Sequence, residues 1–532
     1  MSLGARLKTL RPYLLWVVLT SLAMGWVWSR FDDPFHGHSY LLQFGDARAD
    51  VMLPEVREAG VFLHPNSPGY DGQYYAQMAT NLDWADPEVS AALDNPSYRA
   101  RRMAMPVLTH LLSGGQPGAA VELYIMLHLV TWLALAVSCI WWFDLRTWGG
   151  RAAALAVVFA PGMAEAVLRG LPDAPGLLLL GWAAWQVQRG NRWAAAGLVA
   201  LATLVRETSL LGAVMLLPTS WPRGREWGRM IGLGLLAVGP VLAWTGFVTW
   251  WMGPGNATGN HNFAWPGAGL WGRVLELWHL PEDAWGGGEH SLAWLALVAL
   301  LVQMAWLGWR RAWSNAWWRL GIVFVVLAFF LGRSVWEGSP GAAVRVLAPV
   351  FLAFNVLAAP RSRATWILWA VGNLGLIGTS EVIRAPAGPS YRFTDYERDP
   401  VGAPVRVKFV SGWDLAKESW QEYWRWTYDA AVLDFELVGE GPLEMDLSFQ
   451  LRSDRRRQVE IRSGNEVLWI GEVSDERTSV EIKGLVVTAP RLRLKFAPAE
   501  AFTPGQPLFN VRNLRVALRP AKPAAVGAPG ER

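Results

Sequence analysis

Gly69-Tyr70-Asp71-Gly72-Gln73-Tyr74-Tyr75 sets a carboxylate among aromatic rings. Asp94-Asn95-Pro96-Ser97-Tyr98-Arg99-Ala100-Arg101-Arg102 follows with a basic cluster. A carboxylate can take a proton, and arginines can grip phosphate oxygens in pairs of parallel hydrogen bonds. Together they suit chemistry on a phosphate-bearing substrate at a membrane surface. The plainer reading of the same residues is a capped turn in an ordered loop.

Three more polar places interrupt apolar runs: Glu165, Arg169 and Asp173; Arg206-Glu207-Thr208; and Glu337 with Arg345. Charged groups there are costly and mark function by default. Each also has a plainer reading. Arg206 and Glu207 could be a local ion pair closing a helix hairpin. Glu165 and Asp173 could cap helix starts. Arg345 could anchor at the headgroups. Glu122 and His128 share one apolar run and read as buried helix contacts rather than ligands. His36, His38 and His64 lack metal-ligand spacing. Asp46 is a rival acid to Asp71.

The elements that must hold these residues are membrane helices. Of 532 residues, 52% are hydrophobic and 34 are Trp. Apolar content above the soluble average and indole enrichment both point to a bilayer. The net charge of +4 comes from short basic clusters. No Lys/Arg tract interleaved with aromatics suggests nucleic-acid binding. The single Cys139 excludes an internal disulfide and a Cys-rich metal site.

Arg6, Lys8 and Arg11 precede an apolar run from Pro12 to Trp28 that lacks a small-x-small cleavage site. It reads as an uncleaved first span with a cytoplasmic N-terminus. Residues 29–118 form a long first outer loop, and ten further apolar runs up to residue 382 bring the expectation to about eleven spans. Arg146, Arg151, Arg189, Arg192, Arg223, Arg225, Arg229, Arg310, Arg311, Arg361 and Arg363 gather on one side, as the positive-inside rule requires. Parity then puts all four polar places at the outer face. In Gly269–Leu280, Trp271, Val274, Leu275 and Trp278 follow helical spacing, which predicts an amphipathic helix on the outer surface.

After Val382 the pattern changes to period two, most clearly in Leu443-Glu444-Met445-Asp446-Leu447-Ser448-Phe449-Gln450-Leu451. Many short strands at such intervals predict a β-sandwich, jelly-roll-like, on the outer side. The expected division is a helical membrane domain at 1–385, a β domain at 386–519 and a disordered tail at 520–532.

These residues resemble a known group. Gly69 to Tyr75, then Asp94 to Arg102 with Pro106, are similar to paired motifs of a bacterial set within the GT-C superfamily of membrane glycosyltransferases. Arg206-Glu207-Thr208, Arg345-Val346-Leu347 with Pro349, and Gly412-Trp413 with Glu418 and Arg425-Trp426 match later motifs of that set. The resemblance implies a GT-C-like fold in a bacterial cytoplasmic membrane. It also implies an inverting transfer, at the extracytoplasmic face, of sugar from a polyprenyl-phosphate donor to a glycan, lipid or protein acceptor. In that frame Asp71 is the general base. Arg102, Arg206 and Arg345, then Arg99, bind the donor phosphate. Tyr70, Gln73, Tyr74 and Glu207 position the substrate or the acid. One clear acid in the first motif argues against an obligatory metal and leaves room for a divalent cation. Trp413, Trp424 and Trp426 are candidate glycan-stacking rings, with packing of the β domain as the plainer reading. The outer sandwich also resembles actinobacterial arabinofuranosyltransferases, which keeps pentose donors open.

Two other functions fit part of the pattern. A flippase or transporter of lipid-linked saccharides would concentrate charge at mid-membrane in paired halves. A non-catalytic envelope assembly protein would present the β domain without an acid and several arginines converging beside the membrane.

Overall fold

The computed structural model describes residues 3–32, 36–64, 67–253, 262–279, 289–338, 341–384, 390–392, 405–413, 417–419, 422–438, 442–487, 491–499 and 508–520. The chain divides into two compact units. The first comprises Met1–Arg30, Val51–Ala59 and Tyr70–Arg384; the second comprises Phe31–Asp50, Gly60–Gly69 and Ala385–Arg532. The tail from residue 521 onward lies outside the described residues.

The first unit is helical. Among the described residues, four helices are long and apolar enough to cross a membrane: Leu10–Ser29, Pro117–Trp142, Arg225–Met252 and His290–Arg310. This marks a membrane protein. Their outer faces are apolar, as in Leu22 at 66% and Leu235 at 67% exposure, where a soluble protein would place charge. Such faces need hydrocarbon rather than water around them.

The expectation of about eleven spans is corrected. The remaining apolar runs form shorter helices, including Ala104–Ser113, Arg192–Val205, Glu207–Leu216, Ala316–Phe330 and Ala348–Leu357. About 15 residues at 1.5 Å rise reach about 22 Å, short of a hydrocarbon core of about 30 Å. One pair, Trp148–Val158 and Pro161–Leu168, passes as a single span with a 41° bend. Pro161 sits at the start of the second helix, where its missing N–H breaks the ladder. Arg206, extended at φ −154°, makes a second break between Arg192–Val205 and the 3-10 helix Glu207–Leu216.

Helix Ala268–His279 reverses the amphipathicity of a soluble protein. Trp271 and Trp278 are exposed, at 62% and 74%, with Leu275 beside them, while Gly269, Arg273 and Leu277 are buried. Arg273 turns inward to donate to the Gly338 carbonyl at 2.7 Å. The apolar stripe predicted from spacing therefore faces away from its own unit, as a helix lying in a headgroup layer requires.

The second unit is a β structure. A two-stranded parallel ladder joins β1 (Phe44–Gly45) to β2 (Leu63–His64). The C-terminal strands are β3 (Ser390–Arg392), β4 (Val405–Trp413), β5 (Lys417–Ser419), β6 (Glu422–Leu437), β7 (Leu443–Arg452), β8 (Arg457–Ser463), β9 (Glu466–Val473), β10 (Thr478–Val487), β11 (Arg491–Pro498) and β12 (Phe509–Pro520). They pair antiparallel in the order β10-β7-β12-β6-β11-β8-β9, with β3 on β12 and β4 and β5 on β6. Period two is visible in β7, where Leu443, Met445, Leu447, Phe449 and Leu451 are buried and the residues between them are half-buried. Phe449 of β7 and Phe496 of β11 lie 5.7 Å apart, although β12 and β6 separate their strands in the hydrogen-bonded order. The sheet must fold over on itself to bring them together. It does so around one core that takes residues from β4, β6, β7, β8, β9, β10, β11 and β12, and also Phe62. The architecture is thus a single curled antiparallel sheet, sandwich-like in section.

Candidate active site

Asp71 opens helix Asp71–Thr80, and Tyr70 before it is extended. An acid in the first turn complements the partial positive charge of the exposed N–H groups there. Gly72 to Thr80 are all buried, so the helix is a fixed internal post and Asp71, 36% exposed at its side chain, is its open end. The second motif forms the short helix Pro96–Ala100. Pro96 occupies its first turn, and the Asn95 side chain accepts from the Tyr98 amide at 3.3 Å. The Ala100 carbonyl accepts from Trp244 Nε1 at 2.8 Å.

The two motifs meet at Arg99. Its Nη2 donates to Asp71 Oδ1 at 2.8 Å and to Asp94 Oδ2 at 2.7 Å, while Nε donates to Asp94 Oδ1 at 2.8 Å. The guanidinium, 5% exposed, thus serves two carboxylates. It also lies 4.8 Å from the centre of the Tyr74 ring. Arg102 points elsewhere. Its Nε donates to Glu207 Oε2 at 2.9 Å, Nη1 to the Tyr75 hydroxyl at 2.7 Å, and Nη2 to the Tyr98 hydroxyl.

A second charge network is built on the Glu165–Asp173 segment. Asp173 pairs with Arg206 and, at 3.6 Å, with Arg345 Nη1. Glu165 pairs with Arg169 at 2.8 Å and faces Arg345 Nε at 3.4 Å. Arg345 Nη2 donates to the Tyr70 hydroxyl at 2.5 Å, and the Tyr70 ring lies 4.8 Å from the Arg169 guanidinium carbon. Arg206 Nε donates to Thr208 Oγ1 at 3.0 Å. Glu165, Asp173 and Arg345 are each less than 10% exposed. Each carboxylate thus has two arginine partners, and removing one member would unbalance the buried charge without stripping a group of every partner.

A cavity of about 450 Å³ joins the networks. Its lining includes Asp71, Arg101, Arg102, Asp173, Arg206, Glu207 and Arg345, with Phe263, Leu331 and Val335 on an apolar side. That volume lies within the range of small-molecule sites, about 300–1,000 Å³. Of the residues expected at the site, Asp71, Arg102, Arg206, Glu207 and Arg345 line it. Arg99, Tyr70, Gln73 and Tyr74 stand behind the wall rather than in it. Arg99 and Tyr70 act on wall residues directly, whereas Gln73 and Tyr74 are buried in the helix post.

Burial alone would raise the Asp71 carboxyl above its ordinary 3.8. The Arg99 charge and hydrogen bond, with the charges of Arg102 and Arg345, outweigh it and bring the group down to about 2. Asp71 is therefore ionised at every physiological pH. Asp46, the rival acid, accepts from the Ser67 amide at 3.1 Å within the second unit.

The reading of Glu165 and Asp173 as helix caps does not hold. Glu165 is inside helix Pro161–Leu168, and Asp173 starts Asp173–Gln188 without a side-chain cap. Both serve as counter-ions to the arginines. Their cost in an apolar run, with Arg169 four residues from Glu165, was the signal for that role. Asp94 and Arg101 also belong to the site, although neither was singled out from spacing.

Trp413 is half-buried against the core of the β unit, donating from Nε1 to the Val432 carbonyl at 2.8 Å with its ring 5.6 Å from Phe496. Trp426 is half-buried, and the Trp424 side chain lies outside the described residues. Among the described residues no group of three or more His, Cys, Asp or Glu side chains could hold a metal ion. His128 is buried in helix Pro117–Trp142, with Nδ1 2.8 Å from the Tyr124 carbonyl. No protein-family model matches the chain, and no curated protein matches it in sequence.

Proposed function

We propose that the chain is a membrane glycosyltransferase of GT-C type. In this reading it moves a sugar from a polyprenyl-phosphate donor to an envelope glycan, lipid or protein acceptor at the extracytoplasmic face. One observation carries the reading. Asp71, Arg102, Arg206–Glu207 and Arg345, from four stretches far apart in sequence, line one cavity in a helical unit whose longest helices suit a membrane. The acceptor oxygen attacks the anomeric carbon from the face opposite the phosphate. The carbon–oxygen bond to phosphate breaks, its electron pair goes to the phosphate oxygen, and the acceptor proton goes to Asp71. In this reading Arg206 and Arg345, which line the cavity, meet that new phosphate charge, and no step calls on a metal.

The pairing of Asp71 with Arg99 bears on timing. A carboxylate held near 2 is always in the basic form but takes a proton with little driving force. Donor and acceptor must loosen that pair before transfer.

The test is turnover by purified protein in lipid with a panel of polyprenyl-phosphate hexoses and pentoses, reading release of polyprenyl phosphate. Release with at least one donor, dependent on an added acceptor, supports the reading. Transbilayer movement of an intact donor without release would replace it with the flippase function.

A further inference from the structure

The charges that line the cavity, taken with those paired to them, are Arg99, Arg101, Arg102, Arg169, Arg206 and Arg345 against Asp71, Asp94, Glu165, Asp173 and Glu207, six against five, which leaves one net positive charge. The excess has an address. Arg102 is tied to Glu207, and Arg206 and Arg345 share Asp173. Behind the wall, Arg99 is balanced by Asp71 and Asp94. Among the described residues of the cavity, Arg101 is the arginine whose side chain has no carboxylate, hydrogen bond or aromatic ring against it. Its Nε is buried and without a partner.

Arg101 is also rigidly presented. It follows helix Pro96–Ala100 in helical conformation, with its amide donating to the Arg99 carbonyl. Its neighbours on both sides of the turn are pinned, Arg99 by two aspartates and Arg102 by Glu207 and two tyrosine hydroxyls. A buried Nε with no acceptor costs free energy that an incoming anion would recover.

We propose that Arg101 is the principal anion contact of this cavity and that its ligand presents a phosphodiester carrying a single negative charge. The inference rests on the donor reading above and sharpens it. The arginines already matched by carboxylates orient the phosphate, while Arg101 supplies the charge that attracts it. A doubly charged diphosphate would leave one negative charge unmatched. The same monoanionic phosphodiester occurs in a hexosyl phosphoryl polyprenol and in a phospholipid headgroup, and the chain of the probe separates the two.

The experiment titrates full-length protein in detergent micelles with a hexosyl phosphoryl polyprenol, the matching hexosyl diphosphoryl polyprenol and phosphatidylglycerol, reading binding by thermophoresis. Arg101→Gln is expected to weaken the polyprenyl phosphodiester by at least about 10-fold, as loss of a charge-assisted contact does. Arg101→Lys is expected to stay within about 3-fold of wild type, and neither variant to lower the melting temperature. The polyprenyl phosphodiester should bind more tightly than the diphosphate. If Arg101→Gln binds it as wild type does, the assignment of Arg101 is overturned while the donor reading stands. If phosphatidylglycerol binds more tightly and Arg101→Gln loses it, Arg101 remains the anion contact and the donor class falls. Wild type that binds none of the three overturns both.

Discussion

Arg99 holds Asp71 at 2.8 Å through the same Nη2 that it gives to Asp94 at 2.7 Å. The candidate base is therefore restrained by a cation that is itself fixed from the other side. Breaking a fully buried pair costs about 3–5 kcal/mol. Here both carboxylates are about a third exposed, at 36% and 38%, so Arg99→Gln is expected to cost about 1–3 kcal/mol. Thermal unfolding of the purified protein reads this as a lowered Tm, and an unchanged Tm would show that the restraint has no energetic weight.

The sign of the pH dependence follows from the depressed Asp71 carboxyl. A group lowered from 3.8 to about 2 contributes stability that is present above 3.8 and is lost as pH falls through about 2. Wild type should therefore show this contribution intact from pH 7 down to about 4. Arg99→Gln should lose ionisation of Asp71 at higher pH than wild type. Carboxylate infrared bands of wild type, Arg99→Gln and the double variant with Asp71→Asn, recorded from pH 6 to 2, would follow the Asp71 group.

Arg345 and Arg101 should behave in opposite ways. Arg345 faces two buried carboxylates, Glu165 and Asp173, which keep Arg169 and Arg206 as partners, so Arg345→Gln is expected to destabilise by about 1–3 kcal/mol. Arg101 faces none, so Arg101→Gln should fall within about 0.5 kcal/mol of wild type. Chemical unfolding of the two variants side by side makes the comparison.

Trp413 supports the β unit from within. Its ring meets Phe409 at 5.0 Å and Phe496 at 5.6 Å. Because the ring is half-buried, Trp413→Ala is expected to cost about 2–3 kcal/mol. Protease cleavage of the full-length chain within residues 405–520 should accelerate, with the helical unit left resistant. Lost glycan binding with no change in cleavage would instead favour a stacking role for this ring.

Much of the site was legible in the sequence because charge in an apolar run is rare and expensive. Arg206, Glu207 and Arg345 stand out for that reason, Asp71 and Arg102 through an acid among tyrosines followed by a basic cluster in the first outer loop, and the five do share a cavity. Pairing was not legible. Nothing in spacing says that Arg99 reaches back to Asp71, 28 residues earlier, or that Asp173 serves both Arg206 and Arg345. The strands were legible because period two survives in β7. The span count was not. Hydropathy cannot separate a crossing helix from an apolar helix of ten to seventeen residues packed inside the unit, and breaks at Pro161 and Arg206 divide runs that read as continuous or paired.

The most direct test of the central claim compares wild type with Asp71→Asn in lipid, measuring release of polyprenyl phosphate from the donor that wild type turns over. Asn keeps the shape of the side chain and removes the proton acceptor. The account predicts turnover lower by at least about 10²-fold, with donor binding within a few-fold of wild type. Turnover equal to wild type would contradict it and remove Asp71 from the role of base.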